Sequence, residues 1–145
     1  MLETTIDKFI FRVREGLYYS EAGVWVAVEE SRARVGLSDF AQQLNGDVAF
    51  ANVSAVGTQI KATGSFANIE TVKAILELSS PVTGRVVEIN PELESSPELI
   101  NQDPYGKGWM AVLELDQWGE EKDILLDARQ YLELVKRQAD LEMKK

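Results

Sequence analysis

The chain contains few of the side chains that enzymes use for chemistry near neutral pH. Its 145 residues include no cysteine and no histidine. This excludes disulfides, zinc sites built on those residues, and thiol or Ser-His-Asp nucleophiles. Carboxylates, lysines and tyrosines remain, but they need large pKa shifts to exchange protons at pH 7. The composition therefore favours a protein that hosts chemistry carried out by others.

Lys73 is the residue whose position indicates a chemical role. It lies between two stretches that are typical of strands, residues 66–70 and 75–78. If these strands pair as a hairpin, Lys73 lies at or near the tip, with its ammonium group in water on a four-carbon stem. A group that must visit other proteins would be attached at such a place. On this local pattern alone, the more ordinary interpretation is a solvated lysine that discourages edge-to-edge strand pairing.

The elements around Lys73 predict a mainly β fold with two helices. A short helix is expected from Ser38 or Asp39 to Gly46, with Gln42 reaching back in a loose capping box. Apolar residues at helical spacing from Ile124 to Val135 predict a C-terminal amphipathic helix. A helical turn is expected near residues 96–99, and strands are expected at residues 9–13, 17–19, 24–28, 33–37, 48–53, 59–61, 66–70, 75–78, 85–89 and 109–115.

These elements predict one domain over residues 1–145, a compact sandwich or flattened barrel. Residues 1–16 are expected to add an N-terminal strand. Residues 136–145 are expected to form a polar C-terminal tail, either a solvated extension of the helix or a frayed end. Close backbone packing or turns are expected at glycines 36, 46, 57 and 84, and Trp25 and Trp109 are expected in the core.

The charge and hydropathy of the chain limit its partners. A net charge of −9 argues against binding to nucleic acid, whose phosphates attract lysine and arginine, and against anionic lipid. The chain has no apolar run of about 18 residues, the length that a membrane-spanning helix needs. Its first residues show no basic region followed by an apolar stretch. We therefore expect a cytoplasmic protein with no membrane span.

The residues around Lys73 are similar to a known modification motif. Glu70-Thr71-Val72-Lys73-Ala74 resembles the lipoylation motif of the glycine cleavage system H protein family, usually Glu-Ser-Val-Lys-Ala. Ser80-Pro81-Val82-Thr83-Gly84 is similar to the family's Ser/Ala-Pro-Val-Ser-Gly at the same distance from the lysine. The resemblance runs in order from about residue 18 to residue 135, and further matching segments are residues 35–42, 46–50, 86–90, 97–101, 103–109 and 125–128.

The resemblance implies a fold and a function. The fold would be a lipoyl-domain-like flattened barrel-sandwich hybrid of short antiparallel strands. Lys73 would carry lipoate through an amide, with Glu70 and Thr71 as the recognition context, although Glu70 could equally face water. The chain would be a carrier and not an enzyme. It would shuttle an aminomethyl group from glycine decarboxylase (P protein) to aminomethyltransferase (T protein), with reoxidation by dihydrolipoyl dehydrogenase (L protein), after modification by a lipoyl-attaching enzyme.

Three segments depart from the family pattern. Ala22-Gly23-Val24 stands before Trp25, where the family usually has a His-Glu pair. Residues 52–57 replace its Leu-Pro-Glu-Val-Gly, and residues 1–16 add a segment that typical members lack. These departures leave open an H-like lipoyl carrier for another pathway, such as lipoate-dependent sulfur oxidation. A non-lipoylated binding or regulatory module is also left open.

Two other classes are less consistent with the sequence. A biotin carrier would be expected to show Met-Lys-Met at the tip, and Val72-Lys73-Ala74 does not. A carboxylate-based enzyme would require acidic residues, such as Asp47 and Glu70, to meet in a cleft with raised pKa values.

Overall fold

A computed structural model describes residues 1–143 and shows a mainly antiparallel β fold with helices at its surface, as predicted. Within this range there are three sheets: a hairpin β1-β2, a six-stranded sheet in the order β3-β4-β5-β11-β10-β7, and a three-stranded sheet in the order β6-β8-β9. The strands are β1 (Leu2–Ile6), β2 (Phe9–Val13), β3 (Tyr18–Tyr19), β4 (Val24–Glu29), β5 (Arg32–Leu37), β6 (Val48–Val53), β7 (Gln59–Ile60), β8 (Ser65–Thr71), β9 (Ile75–Ser79), β10 (Gly84–Ile89) and β11 (Ala111–Leu115).

The main core lies between the six-stranded and three-stranded sheets. Val35 and Leu113 point into it from the first sheet, and Phe66 and Ile69 from the second, all fully buried. These residues are β-branched, aliphatic or aromatic, the types that pack well on a pleated surface. Burial of both inner faces fixes the strand register, because a slip of one residue would turn every core side chain outward.

The helices are short except for the last. They are α1 (Asp39–Asn45), α2 (Leu99–Gln102), α3 (Trp118–Glu121) and α4 (Ala128–Met143), with 3₁₀ turns at Pro91–Leu93 and Lys122–Ile124. In α1 the predicted cap is confirmed, since the Ser38 hydroxyl accepts a hydrogen bond from the Ala41 amide at 3.2 Å. The predicted capping box is wrong, because the Gln42 side chain donates instead to the Asp39 carboxylate. Gly46 ends the helix at φ 85°, a backbone conformation that favours glycine.

The C-terminal helix begins later and extends further than its apolar spacing predicts. Asp127 and Gln130 form a reciprocal capping box, each side chain accepting a hydrogen bond from the other's amide. Ile124 therefore precedes the helix and is exposed. Residues 136–143 continue the helix, and Ala139 is buried within it. Of the two forms expected for the polar tail, residues 136–143 thus adopt the extension of the helix, and residues 144 and 145 lie outside the described part of the chain.

Residues 1–16 form a hairpin of two strands, where the sequence predicted one. β1 packs on α4, and β2 contacts both α1 and α4. Phe11 and Val13 of β2 enter a second apolar cluster with Tyr131 and Val135 of α4. The Arg12 amide also donates to the Asp39 carboxylate at 2.8 Å. The hairpin is therefore joined to the body by buried side chains and hydrogen bonds.

One expected tryptophan is in the core and the other is at its edge. Trp25 is buried, and its indole N–H donates to the Pro104 carbonyl at 2.9 Å. Gly36 is its cross-strand partner, and a Cβ there would lie 2.6 Å from the indole ring. Trp109 is half-buried, with the Arg34 guanidinium 4.5 Å from the centre of its ring. The predicted close packing at Gly36 is confirmed.

Candidate functional site at the tip of the β8-β9 hairpin

Lys73 lies at the tip of a tight hairpin, as the flanking strand signals predict. β8 and β9 pair in antiparallel register up to Glu70 opposite Ile75, and the Thr71 amide donates to the Ala74 carbonyl at 2.9 Å. Val72 and Lys73 are consequently the two residues that turn the chain, and both are exposed.

The Thr71 side chain holds this turn in place. Its hydroxyl oxygen accepts hydrogen bonds from the backbone amides of Lys73 and Ala74, each at 3.2 Å. Such local bonds between a hydroxyl and the following amides are what stabilise tight turns at threonine and serine. The hydroxyl at position 71, which the family resemblance associates with recognition, therefore has a structural role in fixing the backbone of Lys73.

Within the described part of the chain, the Lys73 ammonium group has one weak protein contact. Its Nζ lies 3.4 Å from the Leu44 carbonyl oxygen, near the C-terminal end of α1. Helix C-termini attract cations, although such a contact is worth only a fraction of a kcal/mol to about 1 kcal/mol at an exposed position. The side chain is exposed, so an enzyme can reach the amine. The amine gives up this weak contact when it reacts.

Exposed apolar side chains surround the hairpin tip. Phe50 of β6 pairs with Glu70, which pairs in turn with Ile75 of β9. Phe50 is 61% exposed, Ile75 is 68% exposed and Val72 is 86% exposed. The sequence analysis did not single out these residues. The signal that could have found Phe50 and Ile75 is strand alternation, which places both on the face opposite the buried Ile69.

The acidic residues do not gather into a catalytic site. Asp47 is exposed and Glu70 is half-buried, and no group of three or more acidic residues that could hold a metal occurs within residues 1–143. The carboxylate-based enzyme is therefore not supported by this arrangement.

The strongest pKa shifts belong to three tyrosines away from the tip. Burial raises the pKa of Tyr131 to about 12 and raises the pKa values of Tyr19 and Tyr105 well beyond their usual range. Each hydroxyl is in a short hydrogen bond: Tyr19 and Tyr105 donate to the carbonyls of Arg14 and Arg12 at 2.6 and 2.7 Å, and Tyr131 lies 2.7 Å from the Ser38 hydroxyl. These tyrosines join the N-terminal segment and the helices to the body, which is a structural role.

One segment that departs from the expected family pattern, residues 22–24, is closely packed at its last two residues. Val24 is buried at the start of β4. Gly23, beside it, has φ 91°, and a Cβ there would lie 2.8 Å from the Ala41 side chain. The local packing therefore leaves no room for a larger residue at position 23.

No membrane-spanning helix is found in residues 1–143, because their helices are too short or too polar.

Comparison with known proteins gives a consistent result. A family model described as "Glycine cleavage H-protein" matches residues 17–138. The glycine cleavage system H protein of Coprothermobacter proteolyticus is 46% identical over 125 residues, which cover 86% of this chain and 98% of that protein. The probable glycine cleavage system H protein of Pyrococcus abyssi is 41% identical over 127 residues, covering 87% of this chain and 94% of that one.

A solved structure agrees with these sequence matches. The crystal structure of a glycine cleavage system H protein from Mycobacterium marinum superposes with a TM-score of 0.76 and 25% sequence identity, covering 88% of this chain and 99% of that chain. The family model begins at residue 17, so the hairpin β1-β2 lies outside the matched region.

Proposed function

The chain belongs to the glycine cleavage H-protein family, and from this we propose that it works as the lipoyl carrier of the glycine cleavage system with the arm on Lys73. A member of this family is a carrier subunit and not a catalytic enzyme. The observation that carries the assignment to Lys73 is its place at the tip of the β8-β9 hairpin, exposed and on a turn held by Thr71.

The residues at the tip fit a covalently attached arm. The lysine stem projects from a rigid sheet, so a group on Nζ gains reach without any movement of buried residues. An amide at Nζ removes the positive charge, and among residues 1–143 the protein contact given up is the long one to the Leu44 carbonyl. When bound, the lipoyl group supplies the dithiolane that accepts and releases the aminomethyl group.

In this function the residues of the chain position the lipoyl arm, and the arm itself supplies the reactive group. Thr71 fixes the backbone from which the arm starts, and the sheet beneath it is locked to the core through Ile69. The absence of cysteine means that no thiol of this chain competes with the dithiol of the arm. We place the carrier in the cytoplasm, with glycine decarboxylase, aminomethyltransferase, dihydrolipoyl dehydrogenase and a lipoyl-attaching enzyme as its partners.

Mass spectrometry tests the attachment site. The protein is made in a host that lipoylates its own proteins, beside Lys73→Arg and a control variant Lys61→Arg at another exposed lysine. One added lipoyl group is expected on the wild type and on Lys61→Arg, mapped to Lys73 and missing from Lys73→Arg. An unmodified Lys73 beside a lipoylated host protein would indicate a binding or regulatory module instead.

A second measurement tests the partner system. Lipoylated protein is supplied to glycine decarboxylase, and the exchange of the glycine carboxyl group with labelled bicarbonate is followed. Exchange well above that seen with Lys73→Arg is expected. Exchange no greater than that control, from fully lipoylated protein, would indicate a carrier for a different pathway.

A further inference from the structure

We propose that the free edge of β6 binds an extended peptide segment of a partner protein, which pairs with β6 as an added strand of the three-stranded sheet and presents lysine or arginine to nearby carboxylates. The site is a groove of about 280 Å³ lined by residues 51–53 of β6 and by residues 89–91, 93 and 94. We call it the β6 groove. The inference goes beyond the proposed function and does not depend on lipoylation of Lys73.

β6 lies at the edge of its sheet, because β8 is the strand with which it pairs in residues 1–143. The Ser54 amide, just beyond β6, donates to the Phe66 carbonyl at 2.8 Å, and on the other side of β8 the Thr71 amide donates to the Ala74 carbonyl. Successive residues of an antiparallel strand direct their N–H and C=O groups alternately to its two sides. The even-numbered residues of β8 therefore bond to β6, and the odd-numbered residues bond to β9.

This alternation leaves backbone groups of β6 directed at the groove. Ala51 and Val53 lie opposite Ile69 and Ala67, the residues of β8 that bond to β9, so their own N–H and C=O groups point to the free edge. These groups have no hydrogen-bond partner in the part of the chain that the structure describes. A row of free N–H and C=O groups is what an added strand binds.

The edge of β6 lacks the features that usually prevent strand pairing. Its sequence, Val-Ala-Phe-Ala-Asn-Val, contains no charged residue and no proline, and its bulge, between Val48 and Phe50, precedes the groove. Other edge strands of residues 1–143 are protected: β9 contains Glu77, β1 contains Glu3, and β3 and β7 are two residues long. Charges, proline, bulges and short length are the usual protection of an edge, so β6 is the least protected of these strands.

The sheet register determines which side chains of an added strand face the groove. The side chains of Ala51 and Val53 are half-buried and point to the core side, whereas Phe50, 61% exposed, and Asn52 point outward. Directly paired residues point to the same face of a sheet. Residues of the added strand opposite Ala51 and Val53 therefore pack towards Ile89 and are apolar, and the alternate residues lie in water.

Carboxylates select the charge of the occupant. Glu94 lines the β6 groove, and Glu92 lies on the same 3₁₀ turn. Both are exposed, and neither is in an ion pair within the described residues. A second copy of this chain would bring a further charge of −9, so repulsion opposes pairing of two copies, whereas a segment with lysine or arginine is attracted.

The test uses a short labelled peptide of alternating valine and lysine, whose binding to the full-length protein is followed by fluorescence anisotropy. Val53→Pro removes an N–H from the free edge and keeps the ladder to β8, because that N–H points away from β8 and proline is tolerated at such edge positions. Glu77→Pro is the matched control. Glu77 lies opposite Asn68 on β9, so its N–H points to the other free edge, and the change also removes a carboxylate.

We expect Kd to be similar for the wild type and Glu77→Pro, and to rise about tenfold for Val53→Pro, the loss expected for one or two hydrogen bonds. Glu92→Lys/Glu94→Lys should raise Kd several-fold without changing the backbone, which keeps the test valid if Val53→Pro unfolds. The same peptide, N-methylated on the amides that face β6, should not bind.

Three results would overturn the inference. One is equal binding of the peptide to the wild type and to a folded Val53→Pro variant, and another is no binding of the peptide to the wild type. The third is a wild-type dimer in sedimentation that Val53→Pro dissociates, because the occupant would then be a second copy. The protein needs no lipoyl group for these measurements, so their outcome is independent of the proposed function.

Discussion

The phenolic oxygen of Tyr131 lies 2.7 Å from the hydroxyl oxygen of Ser38, in the buried space between α4 and the start of α1. The same Ser38 oxygen accepts from the Ala41 amide and caps α1. One hydroxyl pair therefore connects the C-terminal helix to the helix whose far end contacts Lys73.

Tyr131→Phe removes this connection while keeping the buried ring. Ser38 then loses a buried hydrogen-bond partner, so the free energy of unfolding should fall by about 1–2 kcal/mol. Urea unfolding followed by circular dichroism measures the change. Tyr18→Phe is the control, because its ring packs edge-on against Trp118 and that contact survives. An equal loss in both variants would contradict the role given to the Ser38 pair.

Stability should also fall at alkaline pH because of the buried tyrosines. Burial raises the pKa of Tyr131 from 10.0 to about 12, so the folded state disfavours the phenolate more than the unfolded chain does. This contribution is fully present below pH 10 and is lost as the pH rises from about 10 through 12. Urea midpoints from pH 8 to pH 11 should decrease above pH 10, and the decrease should be smaller for Tyr131→Phe. Parallel curves for the two proteins would rule out Tyr131 as a source.

Gly84→Ala should destabilise the central sheet. A Cβ at position 84 would clash with the backbone carbonyl oxygen of Glu114 on the paired strand β11, and backbone inside a sheet cannot move aside at little cost. We expect a loss of about 2–3 kcal/mol in the free energy of unfolding. Gly119→Ala in α3, where a Cβ meets nothing within 4 Å, should be neutral or slightly stabilising. Thermal unfolding of the two variants separates a specific clash from a general effect of glycine replacement.

Phe11→Ala tests what the N-terminal hairpin does. Phe11 is fully buried and its ring meets that of Phe40 edge-on at 5.2 Å, so the truncation should cost about 3 kcal/mol. Hydrogen exchange should then speed up most in β1, β2 and the C-terminal half of α4. Ile10→Ala, at the exposed neighbouring position, should leave exchange nearly unchanged. Faster exchange confined to β8 and β9 would contradict this account.

The sequence predicts the parts of the fold that depend on local patterns. The alternation in β8 and β9 predicts the hairpin and the position of Lys73 at its tip. The reciprocal capping box of Asp127 and Gln130 is also a local signal. Apolar spacing alone places the start of α4 too early, because the periodicity continues through residues that precede the cap. β1 was missed although Leu2, Thr4 and Ile6 alternate with exposed residues, since five residues at a chain end give a weak signal.

Contacts between distant segments could not be predicted in this way. The bond from the Arg12 amide to Asp39 joins residues 27 positions apart, and it exists only because packing brings β2 to α1. The contact of Lys73 with Leu44 joins residues 29 apart for the same reason. The row of Phe50, Glu70 and Ile75 is an intermediate case, because alternation indicates which residues face outward but only the register places these three side by side.

If Lys73 carries the arm, as proposed, the two amide hydrogen bonds accepted by the Thr71 hydroxyl have a kinetic consequence. They immobilise the anchoring point, so the volume searched by the free end is set by rotations within the side chain and the arm alone. A smaller search volume means a higher effective concentration at any partner site within reach. A loose anchor would enlarge that volume and dilute the reactive end.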